Sequence, residues 1–320
     1  MEFYRRLIKG VKMVAQLIAQ IKKKPTKLWL TPYFFVAPFL IIIGIFTVYP
    51  FFEGIRLSFL EISGFGGSEF VGLQNFRDVL QDEIFQKSLW HSLEYMFASF
   101  LIQIPIAFIL AVILNQAPSK LRGILRTAFF IPVMISGAVT AILFQNLFNK
   151  EFGAINWLLG LVNLPHDIGW LIEPAYAIPV IIFAGFWMWT GFHIVYLLSN
   201  LQTIPAAIYE VARIDGASWW RLMVSVILPL MRPALTFSII TSAIGSMQLF
   251  DLPFMLFSSG DRSMNYAPST LMTYVYDYAF RRFHGGMAAA AGWIIFIIVM
   301  FITLIQLKLL GFGNVENERQ

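Results

Sequence analysis

The side chains of this 320-residue sequence best suited to metal or proton chemistry are four histidines, His91, His166, His193 and His284. No two of them stand in the H-x-x-x-H interval that puts a pair of imidazoles on one helix face. Cysteine is absent, which removes thiolate ligands, thiol nucleophiles and disulfides. Asp82 and Glu83 adjoin in a polar connection, where neighbouring carboxylates are ordinarily just solvated. Gly67–Gly72 has the glycine spacing of a phosphate-binding loop but continues Leu73-Gln74, with no lysine to hold a phosphate. No G-x-S-x-G nucleophile turn occurs. The expectation is no catalytic residue, no metal site and no cofactor in this chain. If ATP drives it, another chain supplies the ATPase.

The remaining chemistry is hydrogen bonding from within apolar segments, where polar groups are costly and therefore functional by default. At helical spacing Ser238, Thr241, Ser242, Gly245 and Gln248 fall within about 120° of one another, and Asp251 lies roughly 60° further round. Gln103, Gln145, Asn146, Trp187, Trp189 and His193 are candidates to stand nearby. Hydroxyls and amides suit a neutral polyol, and aromatic faces suit the CH surfaces of a sugar. The competing expectation is helix packing through small residues.

These residues need an apolar scaffold. The chain is 58% hydrophobic and only 13% charged, with mean hydropathy +0.71, against roughly 25% charged residues in soluble domains. Six stretches are long and apolar enough to cross a bilayer: 33–52, 92–114, 124–148, 176–198, 234–257 and 287–310. Pro105, Pro132 and Pro179 predict kinks within them. Sixteen of the 23 Lys and Arg residues fall on the side that holds both termini, which predicts that both are cytoplasmic. Glu53, Glu61, Glu69, Asp78, Asp82 and Glu83 gather in the first loop on the other side. The net charge of +5 is thereby a matter of topology, and nucleic-acid binding loses its support. Residues 1–30 read as a cytoplasmic basic amphipathic segment, with Phe3, Leu7, Val11, Val14, Ile18 and Ile21 on an apolar stripe suited to membrane lipid. The other possibility there is a basic topogenic tail. Residues 31–312 form the membrane domain, with 33–52 a retained anchor rather than a cleaved signal, and 313–320 a cytoplasmic tail.

The loop 205–229 is the most informative. Pro205 can open a short helix, Gly216 offers a bend or positive φ, and amphipathic Trp219–Ile227 runs into Pro229, which breaks or kinks the entry to the fifth span. Two short helices there make a docking knob, or a plain interfacial connector. This stretch resembles the EAA motif of ABC importer permeases: Glu210-Val211-Ala212, Gly216, Val226 and Leu228-Pro229 fall in its frame, with Val211 and Val226 as conservative departures. Tyr209–Ser218, Gln248–Pro253, Phe70–Phe76, Thr270–Tyr276 and Ala279-Phe280 are similar to the sugar-importer branch. The resemblance implies an all-α integral membrane protein of the type I importer class: six transmembrane helices with cytoplasmic coupling helices, in the cytoplasmic membrane. It implies that Glu210, Ala212, Arg213, Asp215 and Gly216 couple the bundle to an ATPase, with Glu210 pairing a basic group there. It further implies a second, homologous permease, two nucleotide-binding ATPase subunits carrying ATP and Mg, and an extracytoplasmic solute-binding protein. Thr241, Ser242, Gly245, Gln248, Asp251, Gln103, Asn146, Trp187 and His193 would then border the substrate path. A permease for a polyamine or an anion stays open, as does a membrane enzyme or assembly factor, although the latter lacks catalytic residues.

Overall fold

The computed structural model describes residues 27–62, 67–257 and 269–310, with only the backbone of 27–32 and of Arg213. Most of the segment 1–30, and the tail 313–320, lie outside the described residues. The chain divides into two units at Arg56/Leu57. The first is a helix, α1 (Lys27–Ile43), which continues through a π-helical turn, Gly44–Val48, into α2 (Tyr49–Ser58). Tyr33–Ser58 is long and apolar enough to span a bilayer, with its charged pair Glu53–Arg56 near one end.

The second unit opens with a hairpin, β1 (Leu60–Ile62) paired antiparallel with β2 (Ser68–Phe70), in the register Leu60↔Phe70. The short α3 (Gln74–Gln81) docks on it through Asn75, whose Nδ2 donates to the carbonyls of Ser58 and Leu60, both at 2.9 Å. Next comes a 34-residue rod made of α4 (Glu83–Ala98), a π turn (Ser99–Gln103) and α5 (Ile104–Gln116). Then follow α6 (Ser119–Phe130), a 3₁₀ turn (Ile131–Met134), α7 (Gly137–Leu147), the short α8 (Ala154–Leu161) and the 28-residue α9 (Pro174–Leu201). The connecting loop holds α10 (Ala206–Ile214), α11 (Trp219–Leu222), a π turn (Met223–Ile227) and α12 (Leu228–Leu230). It leads into α13 (Arg232–Met247) and α14 (Asp251–Leu256); α15 (Leu271–Tyr276), a π turn (Asp277–Arg281) and α16 (Gly285–Leu310) complete the described chain.

Among the described residues four helices are long and apolar enough to cross a membrane, and two bent pairs bring the number to as many as six. The stretch 124–148, expected as one span, is instead two helical arms meeting at 95°. Pro132 cannot donate to the ladder, and Ser136 starts a new helix by accepting from the Val139 N–H at 3.3 Å. The stretch 234–257 also breaks: α13 stops at Met247 and α14 begins at Asp251.

Three of the π turns have a common cause. Each ends two residues before a proline: Val48 before Pro50, Gln103 before Pro105, Ile227 before Pro229. A proline ring clashes with the carbonyl four residues back. Those carbonyls belong to Phe46, Leu101 and Ser225, each mid-turn, and widening the turn relieves the clash. Pro179, by contrast, leaves α9 continuous. Its clash partner would be Ala175, in the first turn, where distortion costs least.

Three apolar clusters hold the second unit together. One packs α3, α4, α13, α15 and α16 around Phe85, Met247, Leu271 and Ile295. Another joins α5 and α9 to the 205–229 loop through Ala111, Leu197, Met223 and Ile227. The third sets α4, α7, α9 and α14 around Tyr95, Phe144, Ile181 and Leu252. One polar tie supplements the first cluster. Asp82 caps α4 by accepting from the Ile84 N–H at 2.8 Å, and also accepts the hydroxyls of Tyr274, at 2.9 Å, and Tyr278. Burial pushes the Asp82 carboxyl up, but the bonds from Tyr278, Ile84 and Tyr274, with the nearby Arg282 charge, outweigh it, so its pKa lies below the ordinary value.

Candidate functional site

A cavity of about 420 Å³ opens between α4, α9, α13 and α14. The polar stripe of α13 forms one wall with Thr241, Ser242, Gly245 and Ser246, and Gln248 and Asp251 continue it across the helix break. The opposite wall is the face of α9 that carries Met188, Trp189, Phe192 and His193, one helical turn apart in pairs. Gln103 and Tyr95 close the side toward α4.

A hydrogen-bonded relay fixes these walls. Ser99 Oγ donates to Gln103 Oε1 at 2.5 Å and lies 2.5 Å from Ser242 Oγ, and Gln103 Nε2 donates to Thr190 Oγ1 at 3.4 Å. Three helical segments are thereby joined through side chains that are inside the protein and paired, as buried polar groups must be. Thr241 spends its hydroxyl proton on its own helix, on the Phe237 and Ser238 carbonyls, and Ser246 does the same on Ser242. Gly245 is different: a Cβ there would meet nothing within 4 Å, so it holds open space in the cavity wall. His193 is 4% exposed, and its Nδ1 has no hydrogen-bond partner. The helices can approach this closely because α9 carries glycine where neighbours touch it. At Gly191 a Cβ would fall 1.8 Å from the Phe129 carbonyl oxygen.

Of the residues expected along the path, the structure brings Gln103, His193, Thr241, Ser242, Gly245, Gln248 and Asp251 to this cavity. Asn146 and Trp187 are not among its lining residues. Asn146 bonds back to the Ile142 carbonyl at 2.8 Å, and the Trp187 ring packs 5.6 Å from Phe144. Gln145 ties α7 to the Met255 and Leu256 carbonyls, both at 2.9 Å. Tyr95, Met188 and Phe192 were missed because largely apolar and aromatic residues in a span carry little polarity signal, and Ser246 because it lies outside the arc of the expected stripe. The helical interval from Trp189 to Phe192 and His193 could have found one of them.

The 205–229 loop forms two short helices joined by a tight turn. Gly216 has φ +72°, the left-handed region. Around it the Asp215 N–H bonds the Val211 carbonyl and the Ala217 N–H bonds the Ala212 carbonyl, both at 2.9 Å. This is the Schellman ending of a helix, which needs a left-handed residue at that one position. Ser218 then starts α11, accepting from the Arg221 N–H at 3.3 Å. Ala212 faces inward, while Tyr209 and Leu222 pack on the cluster that includes Leu197 and Met223. Glu210 and Asp215 point to solvent beside Val211, Ile214 and Trp220, with Ile214 84% exposed. The loop therefore presents an apolar knob flanked by acids, on a base packed into the bundle. The Arg213 side chain lies outside what is described.

A bundle of long apolar helices with an apolar-tipped loop is the architecture of an integral membrane protein. The chain matches the family of binding-protein-dependent transport system inner membrane components over residues 103–312, and it belongs to that family. It is 33% identical to the lactose transport system permease protein of Rhizobium radiobacter over 277 residues, 85% of this chain and 91% of that one. It is 32% identical to the arabinooligosaccharides transport system permease protein of Bacillus subtilis, with 88% of each covered. In fold it matches a chain of a bacterial ABC transporter involved in alginate import with TM-score 0.79, at 23% identity, covering 93% of this chain and 99% of that one. The chain is a permease subunit of an ABC importer, a membrane protein and not an enzyme.

Proposed function

We propose that this chain forms, with a second homologous permease, the translocation path of an importer for a neutral sugar or oligosaccharide. The observation that carries this reading is the composition of the cavity. Its wall offers hydroxyls, amides and aromatic faces, with no lysine or arginine among the described lining residues and Asp251 as the single carboxylate. Such a surface exchanges hydrogen bonds with sugar hydroxyls and lays Trp189, Tyr95 or Phe192 against CH faces. An anion would find no counter-charge there, and a polyamine only one. The sugar-transport names of the relatives support the same substrate class.

In this reading a solute-binding protein delivers substrate from the extracytoplasmic side, and both termini are cytoplasmic. Two ATPase subunits, which hold ATP and Mg, receive the knob formed by Glu210, Val211, Ile214 and Trp220. The ATPase pair binds two permease states with different affinity, and that difference moves the equilibrium between inward- and outward-open forms. The turn at Gly216 transmits the movement through α12 to α13, which carries the cavity wall. The test is uptake by cells lacking the gene, assayed with labelled oligosaccharides, polyols, polyamines and anions. Loss of accumulation of one oligosaccharide or polyol is expected. Unchanged uptake of every carbohydrate, with loss of a polyamine or an anion, would overturn the substrate class.

A further inference from the structure

The segment between α7 and α9 is built with its polarity reversed. Asn156, in the first turn of α8, is 5% exposed and uses its whole amide: Nδ2 donates to the carbonyls of Lys150 and Ile168, both at 3.0 Å, and Oδ1 accepts the Trp170 indole N–H at 2.7 Å. The polar group is inside and satisfied. On the outward face stand Trp157, 64% exposed, Leu158, Leu161, 62% exposed, and Val162, with Phe152 and Leu164 beside them.

From Phe152 to Pro165 the sequence contains no charged residue. The charges stand at the rim instead, where Lys150 pairs with Asp167 at 3.4 Å and Glu151 adjoins. The patch cannot fold back on itself, because α8 is held from behind. Trp170 packs on Phe148 at 5.6 Å, and the Leu164 N–H closes the end of the helix on the Leu159 carbonyl at 3.0 Å.

A rigid apolar face with an indole on it and a charged rim fits the boundary between lipid chains and headgroups. The flanking elements argue for the same neighbour. α7 leads in with Val139 and Ile142 exposed, and α9 leads out with Phe183 exposed, so the helices on either side of α8 also present large apolar side chains outward, as lipid-facing spans do. We propose that α8 lies in the interfacial layer of the bilayer as a lipid-facing anchor, with its Trp157–Val162 face against the acyl chains and the Lys150–Asp167 rim in the headgroups. The inference does not depend on the substrate transported.

The absence of cysteine makes the test direct. Single cysteines replace Leu158, Leu161 and, as the rim reference, Glu151. Each is labelled with a nitroxide in the full chain, purified with the subunits that accompany it and reconstituted into phospholipid nanodiscs. Collisions with oxygen, which concentrates in lipid, are compared with collisions with a water-soluble nickel chelate. The oxygen-to-nickel ratio is expected to be several-fold higher at 158 and 161 than at 151. Ratios at 158 and 161 equal to that at 151 would overturn the proposal. So would labels shielded from both reagents, which would mean that a protein subunit covers the face. Should one substitution prevent folding, Val162→Cys on the same face gives the same readout.

Discussion

Substituting Gly216 isolates what the turn in the 205–229 loop contributes. A Cβ at this position meets nothing within 4 Å, so any cost of a side chain comes from the backbone alone. With φ at +72° an L-residue there costs roughly 1–2 kcal/mol, asparagine less, and a β-branched residue most. Relieving that strain would give up the Ala217–Ala212 bond, itself about 1 kcal/mol. A penalty of 1–2 kcal/mol lowers the population of the native turn, relative to an unwound one, by about 5- to 30-fold. The assay is substrate-stimulated ATP hydrolysis by the reconstituted complex, with subunit association followed by co-purification. Expected activity falls in the order Gly216, Gly216→Asn, Gly216→Ala, Gly216→Val. Equal loss in all three variants would refute the backbone reasoning and assign the effect to the surface that a partner touches. Full activity of Gly216→Val would remove the turn from the coupling route altogether.

Two further outcomes follow from the geometry. Gly245 lines the cavity with open space around it and lies within α13, so Gly245→Leu should lower uptake while the melting temperature holds or rises, leucine gaining up to about 1 kcal/mol of helix propensity over glycine; unchanged uptake would exclude this cavity from the path. Asp82 titrates below its ordinary 3.8, so its contribution is fully present above that pH and is lost as pH falls through the folded value. Wild type should therefore exceed Asp82→Asn in detergent stability by about 1–2 kcal/mol near neutrality. The gap should shrink below pH 3.8, and a gap that persists unchanged to strong acid would show that the carboxylate charge contributes nothing.

Much of the scaffold was legible because a bilayer imposes one crude requirement, a long apolar run. The rod 83–116 and the helices at 174–201 and 285–310 satisfy it without interruption. The size of a bend within a run was not legible: Pro132 predicted a kink in 124–148, but not that Ser136 would start a new helix and turn the chain through 95°. The polar stripe of α13 was readable from its spacing through Gln248, which caps the helix with its N–H still on the Ile244 carbonyl, but Asp251 reaches the cavity across the break beyond it and not through helical periodicity. The Gly216 turn was visible since a left-handed C-terminal residue has few alternatives to glycine. Tyr95, Met188 and Phe192 left no trace, since their place at the cavity depends on which helices meet, a long-range fact.

The wide turns ahead of Pro50, Pro105 and Pro229 also alter the phase of everything beyond them. A π turn is an α-helix that has absorbed one additional residue, and each residue carries the helix round by about 100°. The faces of α4 and α5 are therefore offset by that angle, although the pair looks like a single rod. Ser88 and Ala107, like Ser92 and Ala111, stand 19 residues apart, about 100° out of phase on an unbroken α-helix, yet all four are buried. The same offset lies between α11 and α12, so deleting one residue from Met223–Ile227 would not shorten a loop. It would rotate the knob that carries Trp220 relative to the base that holds it, leaving each helix intact and their alignment lost.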